Sequence, residues 1–260
     1  MKQSVISSKR TLIFVLAFLV TIGMSALLFA DNSYAASKSK ALKAGVSFTG
    51  ISQQKLWDGS LSPEQVNIET IANMYSFGVV SKAKTKFTTK MKVSATLYIP
   101  KKVMNKSGCE FDIVPVIACN DFYVQGKYVV ILNNRSGKVN VTMYDGNRKP
   151  VKAKKYTKVK KTKKFYKVKI KNLPMDSFGR LPGSGEKTSI PAKTKYKPNF
   201  TFSISGFGKN SCGFMYIDDI QLKATKTIKI DFSKKNYKSP FGFRTTSAKQ
   251  QVPVEIAKIK

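Results

Sequence analysis

"KFTTKMKVSATLYIP", residues 86–100, alternates over more than ten positions. Phe87, Met91, Val93, Ala95, Leu97 and Ile99 fall on odd positions, and Lys90, Lys92, Ser94, Thr96 and Tyr98 on even ones. A period of two belongs to a strand with one buried and one wet face. Pro100 closes the run because proline has no amide to extend a ladder.

Similar runs follow outward from this one. "EFDIVPVIA" (110–118) is apolar on both faces, and Pro115 within it predicts an edge or a bulge. "KYVVILN" (127–133), "VNVTMYD" (139–145), "YTKVKKT" (156–162), "FYKVKIK" (165–171), "NFTFSISG" (199–206) and "GFMYIDDIQL" (213–222) continue the pattern. "TIKIDF", "GVSFTG" and "SFGVVS" are further candidates. Asp145-Gly146-Asn147 is a hairpin-type turn. Ser62-Pro63-Glu64-Gln65 reads as a helix start, though the same stretch also reads as a strand. About ten strands with little helix predict an all-β sandwich of two antiparallel sheets.

The chain begins with Lys2, Lys9 and Arg10, then an uncharged apolar run over 11–30, then Ser33 and Ala35 at signal-peptidase spacing. Cleavage after Ala35 is expected, with a retained anchor as the alternative because the run can span a bilayer. The expected organisation is a signal peptide (1–35), a short basic linker (36–43), one domain (44–223) and a C-terminal extension (224–260) that is an extra strand or a linker. Secretion or display at the cell surface follows, with no membrane contact after cleavage and a monomeric state.

Lys and Arg number 47 against 14 Asp and Glu, for a net charge of +33. Loss of 1–35 removes three bases and one acid, leaving +31. Such a charge attracts polyanions in a salt-sensitive way. Anionic wall polymers and acidic polysaccharides are the polyanions an exported protein meets first, so no nucleic-acid partner is expected. Cys109, Cys119 and Cys212 leave at least one thiol unpaired. Cys109 and Cys119 at opposite ends of one strand are too far apart to bond to each other. Without His, Ser-His triads are excluded and a zinc site is disfavoured. Residues 172–199 hold four prolines and read as a long loop, functional or inserted.

Asp218 and Asp219 stand in an apolar strand of a chain poor in acids. Strict alternation puts Asp218 on the core face with Phe214, Tyr216, Ile220 and Leu222, and Asp219 opposite with Met215, Ile217 and Gln221. A core carboxylate is costly unless paired or bound to a cation. Structural Ca²⁺ is one solution, and a lysine partner or a strand end in water is the other.

"FMYIDDIQL" (214–222) resembles the closing strand of jelly-roll, galactose-binding-like carbohydrate-binding modules of secreted bacterial proteins. The resemblance covers roughly 44–223. It implies a jelly roll, non-catalytic binding of a poly- or oligosaccharide, and a structural Ca²⁺ held by Asp218 or Asp219. The chain departs from that family in its single Trp and its basicity.

Candidate ligand-binding residues are Trp57, Tyr98, Asn120, Tyr123, Gln125 and Tyr144, since sugars are gripped by an aromatic platform and a few polar groups. Candidate polyanion-binding residues are Lys158, Lys160, Lys167, Lys169 and Lys171, within a stretch (149–171) of 12 lysines and no acid. Two functions follow: an exported carbohydrate-binding protein, or a basic surface or wall-associated protein held by charge to teichoic acid or an acidic glycan. No catalytic set stands out, since glycosidases need two opposed carboxylates. A Tyr/Lys polysaccharide lyase remains compatible with the composition. Protein recovered from medium or wall is expected to begin at Ala36 by N-terminal sequencing; an intact Met1 shows an anchor instead.

Overall fold

A computed structural model describes residues 40–48, 74–104, 109–134, 139–145, 149–207, 211–244 and 247–260. The signal-peptide stretch, Trp57 and segment 62–71 lie outside these residues. The strands are β1 (Lys40–Phe48), β2 (Met74–Ser81), β3 (Thr85–Lys86), β4 (Lys92–Pro100), β5 (Cys109–Ala118), β6 (Tyr123–Gln125), β7 (Tyr128–Asn134), β8 (Val139–Asp145), β9 (Thr157–Lys161), β10 (Phe165–Pro174), β11 (Gly179–Arg180), β12 (Lys187–Thr188), β13 (Lys195–Tyr196), β14 (Asn199–Phe207), β15 (Ser211–Lys223), β16 (Thr227–Lys229), β17 (Tyr237–Arg244), β18 (Ser247–Gln251) and β19 (Val254–Lys258). One helical turn, α1 (Lys101–Met104), follows Pro100.

Two antiparallel sheets carry the fold, as the alternation predicts. The seven-stranded sheet runs β19-β1-β15-β4-β10-β9, with β16 beside β15. The ten-stranded sheet runs β12-β11-β6-β5-β14-β2-β17-β18, with β7 and β8 continuing from β5. The inner faces share one core. Leu42, Leu97, Val168 and Ile217 come from the first sheet, and Phe77, Phe111, Ile113, Phe200 and Phe202 from the second. The compact unit spans Lys40–Ala257. Its first strand therefore starts inside the stretch read as a linker, and the C-terminal stretch supplies integral strands, β17 against β2 and β19 against β1.

β4 keeps its expected period: Val93, Ala95, Leu97 and Ile99 are buried in the core. Its neighbour β15 does not, and Asp218 leaves the core face that strict alternation assigns it. Asp218 pairs with Thr96 and Gln221 with Ser94, so Asp219 and Ile220 together face Ala95, a β-bulge. Asp219 sits at φ 53°, in the left-handed region that Asp and Asn tolerate better than other side chains. The bulge resets the parity. Met215 and Ile217 face the core before it, and Ile220 and Leu222 after it. Asp218 therefore faces outward, as does Phe214, which is 48% exposed.

β10 repeats the device on the other edge of β4. Ile170 pairs with Ala95 and Leu173 with Val93, so Lys171 and Asn172 together face Ser94. Asn172 has φ 50°, and its amide donates to Ser94 Oγ at 2.9 Å. On the β15 side, Thr96 Oγ1 donates to Asp219 Oδ2 at 2.8 Å.

Pro115 lies in an interior strand rather than at an edge. It stands where the neighbour of β5 changes from β7 to β6, opposite the break between them, and Gly126 N donates to its carbonyl at 2.7 Å. The 172–199 stretch is not structureless. It forms the β11–β12 hairpin and β13, which pairs with β3. Tyr196 anchors it against Phe87 and Phe122, with ring centroids 5.4 and 5.3 Å away.

The bulge predicts an unusual substitution pattern. Asp219→Gly loses the Thr96 bond but relieves left-handed strain, and should melt close to the parent. Asp219→Val loses the bond and adds strain, costing roughly 2–3 kcal/mol. Equal melting temperatures for the two variants would sink this account of Asp219.

Candidate functional site

The cross-strand register assembles one surface from scattered positions. A row across the seven-stranded sheet reads Lys43, Tyr216, Tyr98, Lys167, Lys160. The next row reads Asp218, Thr96, Lys169, Lys158. Lys92 and Lys223 pair on the same face, and Lys229 pairs with Gln221. With Lys171, nine lysines share the outer face of this sheet. Neighbouring strands lie about 4.8 Å apart and same-face residues about 6.8 Å apart along a strand, which sets the mesh of ammonium groups.

Beneath them lies an aromatic layer. The Phe165 ring meets Tyr98 edge-on at 6.1 Å and Tyr216 at 5.6 Å. Lys167 Nζ stands 5.1 Å from the Tyr98 ring centre, and Lys43 Nζ 4.1 Å from that of Phe214. Tyr98 is only 7% exposed and Tyr216 6%. These rings are covered, and they support lysine stems that carry their charge to water. Lys43 also bonds Glu255 Oε1 at 2.6 Å.

Between the bulges the face sinks into a cleft of about 310 Å³, lined by Ser94, Thr96, Lys169, Lys171, Asn172, Asp219, Gln221 and Lys223 among others. Burial pushes the Asp218 carboxyl above its usual range; the Asp219 amide hydrogen bond opposes this, the Asp219 charge adds to it, and Lys167 opposes it. The bulge removes the core-facing Asp218, one of the two grounds for calcium; the other, the resemblance that assigns a structural Ca²⁺ to Asp218 or Asp219, does not depend on it. Among the described residues no three His, Cys, Asp or Glu side chains gather as metal ligands.

The other described candidates do not join this surface. Tyr123 and Gln125 lie on β6 and Asn120 in the turn before it, in the ten-stranded sheet. Tyr123 pairs with Arg180 and sits under the β11–β12 hairpin, its hydroxyl 3.7 Å from where a Cβ on Gly185 would be. Tyr144 is on β8, in a separate groove of about 330 Å³ with Thr142, Pro150 and Val151. Of the proposed ligand residues among the described residues, only Tyr98 meets the lysines. The alternation missed Phe214 and Tyr216 as outer residues, and Asn172 and Gln221 as cleft residues. Their signal was the spacing Ile217-x-x-Ile220 and Ile170-x-x-Leu173, three where a plain strand needs two.

A carboxyl pair that sequence reading passed over lies on the ten-stranded sheet. Glu110 and Asp112 share one face of β5, where Asp112 pairs with Ser205 and Ile131. Burial lifts the Asp112 carboxyl to about 8, and the Glu110 charge and hydrogen bond add to the rise. Two carboxyls sharing a hydrogen bond stand closer than the roughly 5 Å that brackets a glycosidic bond.

Compared with protein-family models, curated proteins and solved structures, the chain matches none. The two-sheet sandwich is compatible with a jelly roll, while the resemblance to carbohydrate-binding modules rests on the 214–222 motif and the strand layout read from sequence.

Asp112 makes stability depend on pH. Its folded value lies above the ordinary 3.8, so the folded state holds a proton that the unfolded chain releases. Stability therefore falls as pH rises from about 4 through about 8. Asp112→Asn should match the parent near the acid end and unfold later in denaturant at the alkaline end. A constant difference between the two across that window would remove Asp112 as the cause.

Proposed function

We propose that this chain is an exported, non-catalytic binding protein whose ligand is an anionic polymer of the extracellular surface, an acidic polysaccharide first among them. The observation that carries the reading is the lysine face over a covered aromatic layer. Sugar stacking needs an open ring face. Tyr98 and Tyr216 are closed and the half-exposed Phe214 ring carries Lys43 over it, while Lys158, Lys160, Lys169 and Lys171 are exposed. A mesh of cations binds a polyanion by releasing counterions, and such binding weakens steeply with salt. Export rests on residues 1–35 and wall or surface residence on the charge.

A neutral-glycan reading keeps one foothold in the Tyr144 groove, and the two readings separate in a binding assay. Affinity for an acidic polysaccharide should fall with salt along a linear log–log plot. Replacing Lys158, Lys160 and Lys169 with Gln should flatten that slope by about 1 per lysine removed. Tyr144→Ala should bind like the parent. Equal binding of a neutral glycan at low and at about 0.5 M salt, lost in Tyr144→Ala, is the result that overturns the proposal.

A further inference from the structure

We infer that the cleft between the two bulges is a subsite for one carboxylated sugar unit, a uronate residue within the acidic polymer. This rests on the polyanion reading above and adds a specific pocket to a diffuse surface. A smooth sheet face offers side chains but no depth. Here β10 and β15 each carry an extra residue beside Ser94–Thr96, and the face opens into a cleft of about 310 Å³. That lies at the small end of ligand pockets and suits a single ring.

The lining is chemically mixed. Lys169, Lys171 and Lys223 offer cations for one anionic group. Asn172 and Gln221 offer amides that both donate and accept. Asp219 accepts the Thr96 hydroxyl on one oxygen and lines the cleft as a further acceptor. A carboxylate at this wall repels a multiply charged phosphate and favours ligand hydroxyls. The set therefore asks for hydroxyl donors beside a single negative charge, as on a uronate. A neutral hexose leaves the three lysines without an anion, and a bare phosphate leaves Asp219 without a donor.

The experiment titrates the protein with a short oligouronate, a neutral oligosaccharide of equal length, and inorganic polyphosphate. Asn172→Gly keeps the left-handed backbone and removes the amide, and Gln221→Ala removes the other. Each should weaken the oligouronate about fivefold, the size of one net hydrogen bond, at low and at high salt alike. Lys158→Gln with Lys160→Gln, outside the cleft, should weaken it at low salt only. Melting temperatures of all variants should stay near the parent's. If long acidic polymer still binds in a salt-sensitive way while Asn172→Gly and Gln221→Ala behave like the parent, the subsite is wrong and the charged face stands. If polyphosphate competes as well as the oligouronate, the carboxylate selectivity is wrong. If neither acidic polymer nor oligouronate binds, the underlying reading fails as well.

Discussion

Strand β4 is hydrogen-bonded along both edges, and both neighbours carry one extra residue at the same height. That coincidence sets most of what surrounds it. A strand buried on one face cannot slip by one residue without turning its apolar side chains to water. β4 keeps its alternation unbroken, so β10 and β15 absorb the mismatch. Each does so with a residue that tolerates positive φ, Asn172 and Asp219. After the bulge the core positions resume, Leu173 following Ile170 and Ile220 following Ile217. The polar pair between them is turned out. Asp218 and Asp219 are in the strand because the bulge needs short polar residues there, and burial of a carboxylate in the core was never required.

The sequence legibly encoded the strands that alternate without interruption. β4, β14 and the first part of β10 sit as the period of two predicts, because nothing in them competes with the pleat. β15 was misread because a single parity was imposed across a bulge, so Phe214 and Tyr216 were assigned to the wrong face. β17 was missed for another reason. Pro240 and Gly242 break its alternation, yet Gly242 is needed where a Cβ would come within 2.3 Å of the Val254 side chain and 3.1 Å of the Phe77 ring. A residue required by close approach reads as a turn when its neighbours in space are unknown. The short strands of 172–199 were equally hidden, since contact of Tyr196 with Phe87 and Phe122 is remote in sequence.

The candidate surface was half legible. The lysine rows of β9 and β10 follow from local alternation alone. Their company does not. Lys43 and Lys160 belong to one row because the strand order places β15, β4 and β10 between β1 and β9, an order that local pattern leaves open. The same order separates Tyr98 from Tyr123 and Tyr144, which looked equivalent in sequence. Sugar-binding residues were proposed by chemical type, and type does not tell which sheet a tyrosine belongs to or what covers it.

The aromatic rings beside the lysines change what the lysines can do. An ammonium on a free stem gains little from an exposed ion pair, because ordering the stem offsets the attraction. Here Tyr98 lies under Lys167 and Phe214 under Lys43, so part of each stem is already held by packing before any ligand arrives. Preorganised cations strengthen attraction to every polyanion equally, so on their own they confer no selectivity. Selectivity is a difference between ligands and needs a repulsive element. Asp218 and Asp219 supply one, two carboxylates set beside Thr96 in the middle of a face dominated by lysines. A polymer of uniform charge must place an anion against them, whereas a polymer that alternates charge with hydroxyls can turn the hydroxyls there. In the polyanion binding proposed above, the bulge that keeps the core in register would therefore also be the feature that tells one anionic polymer from another.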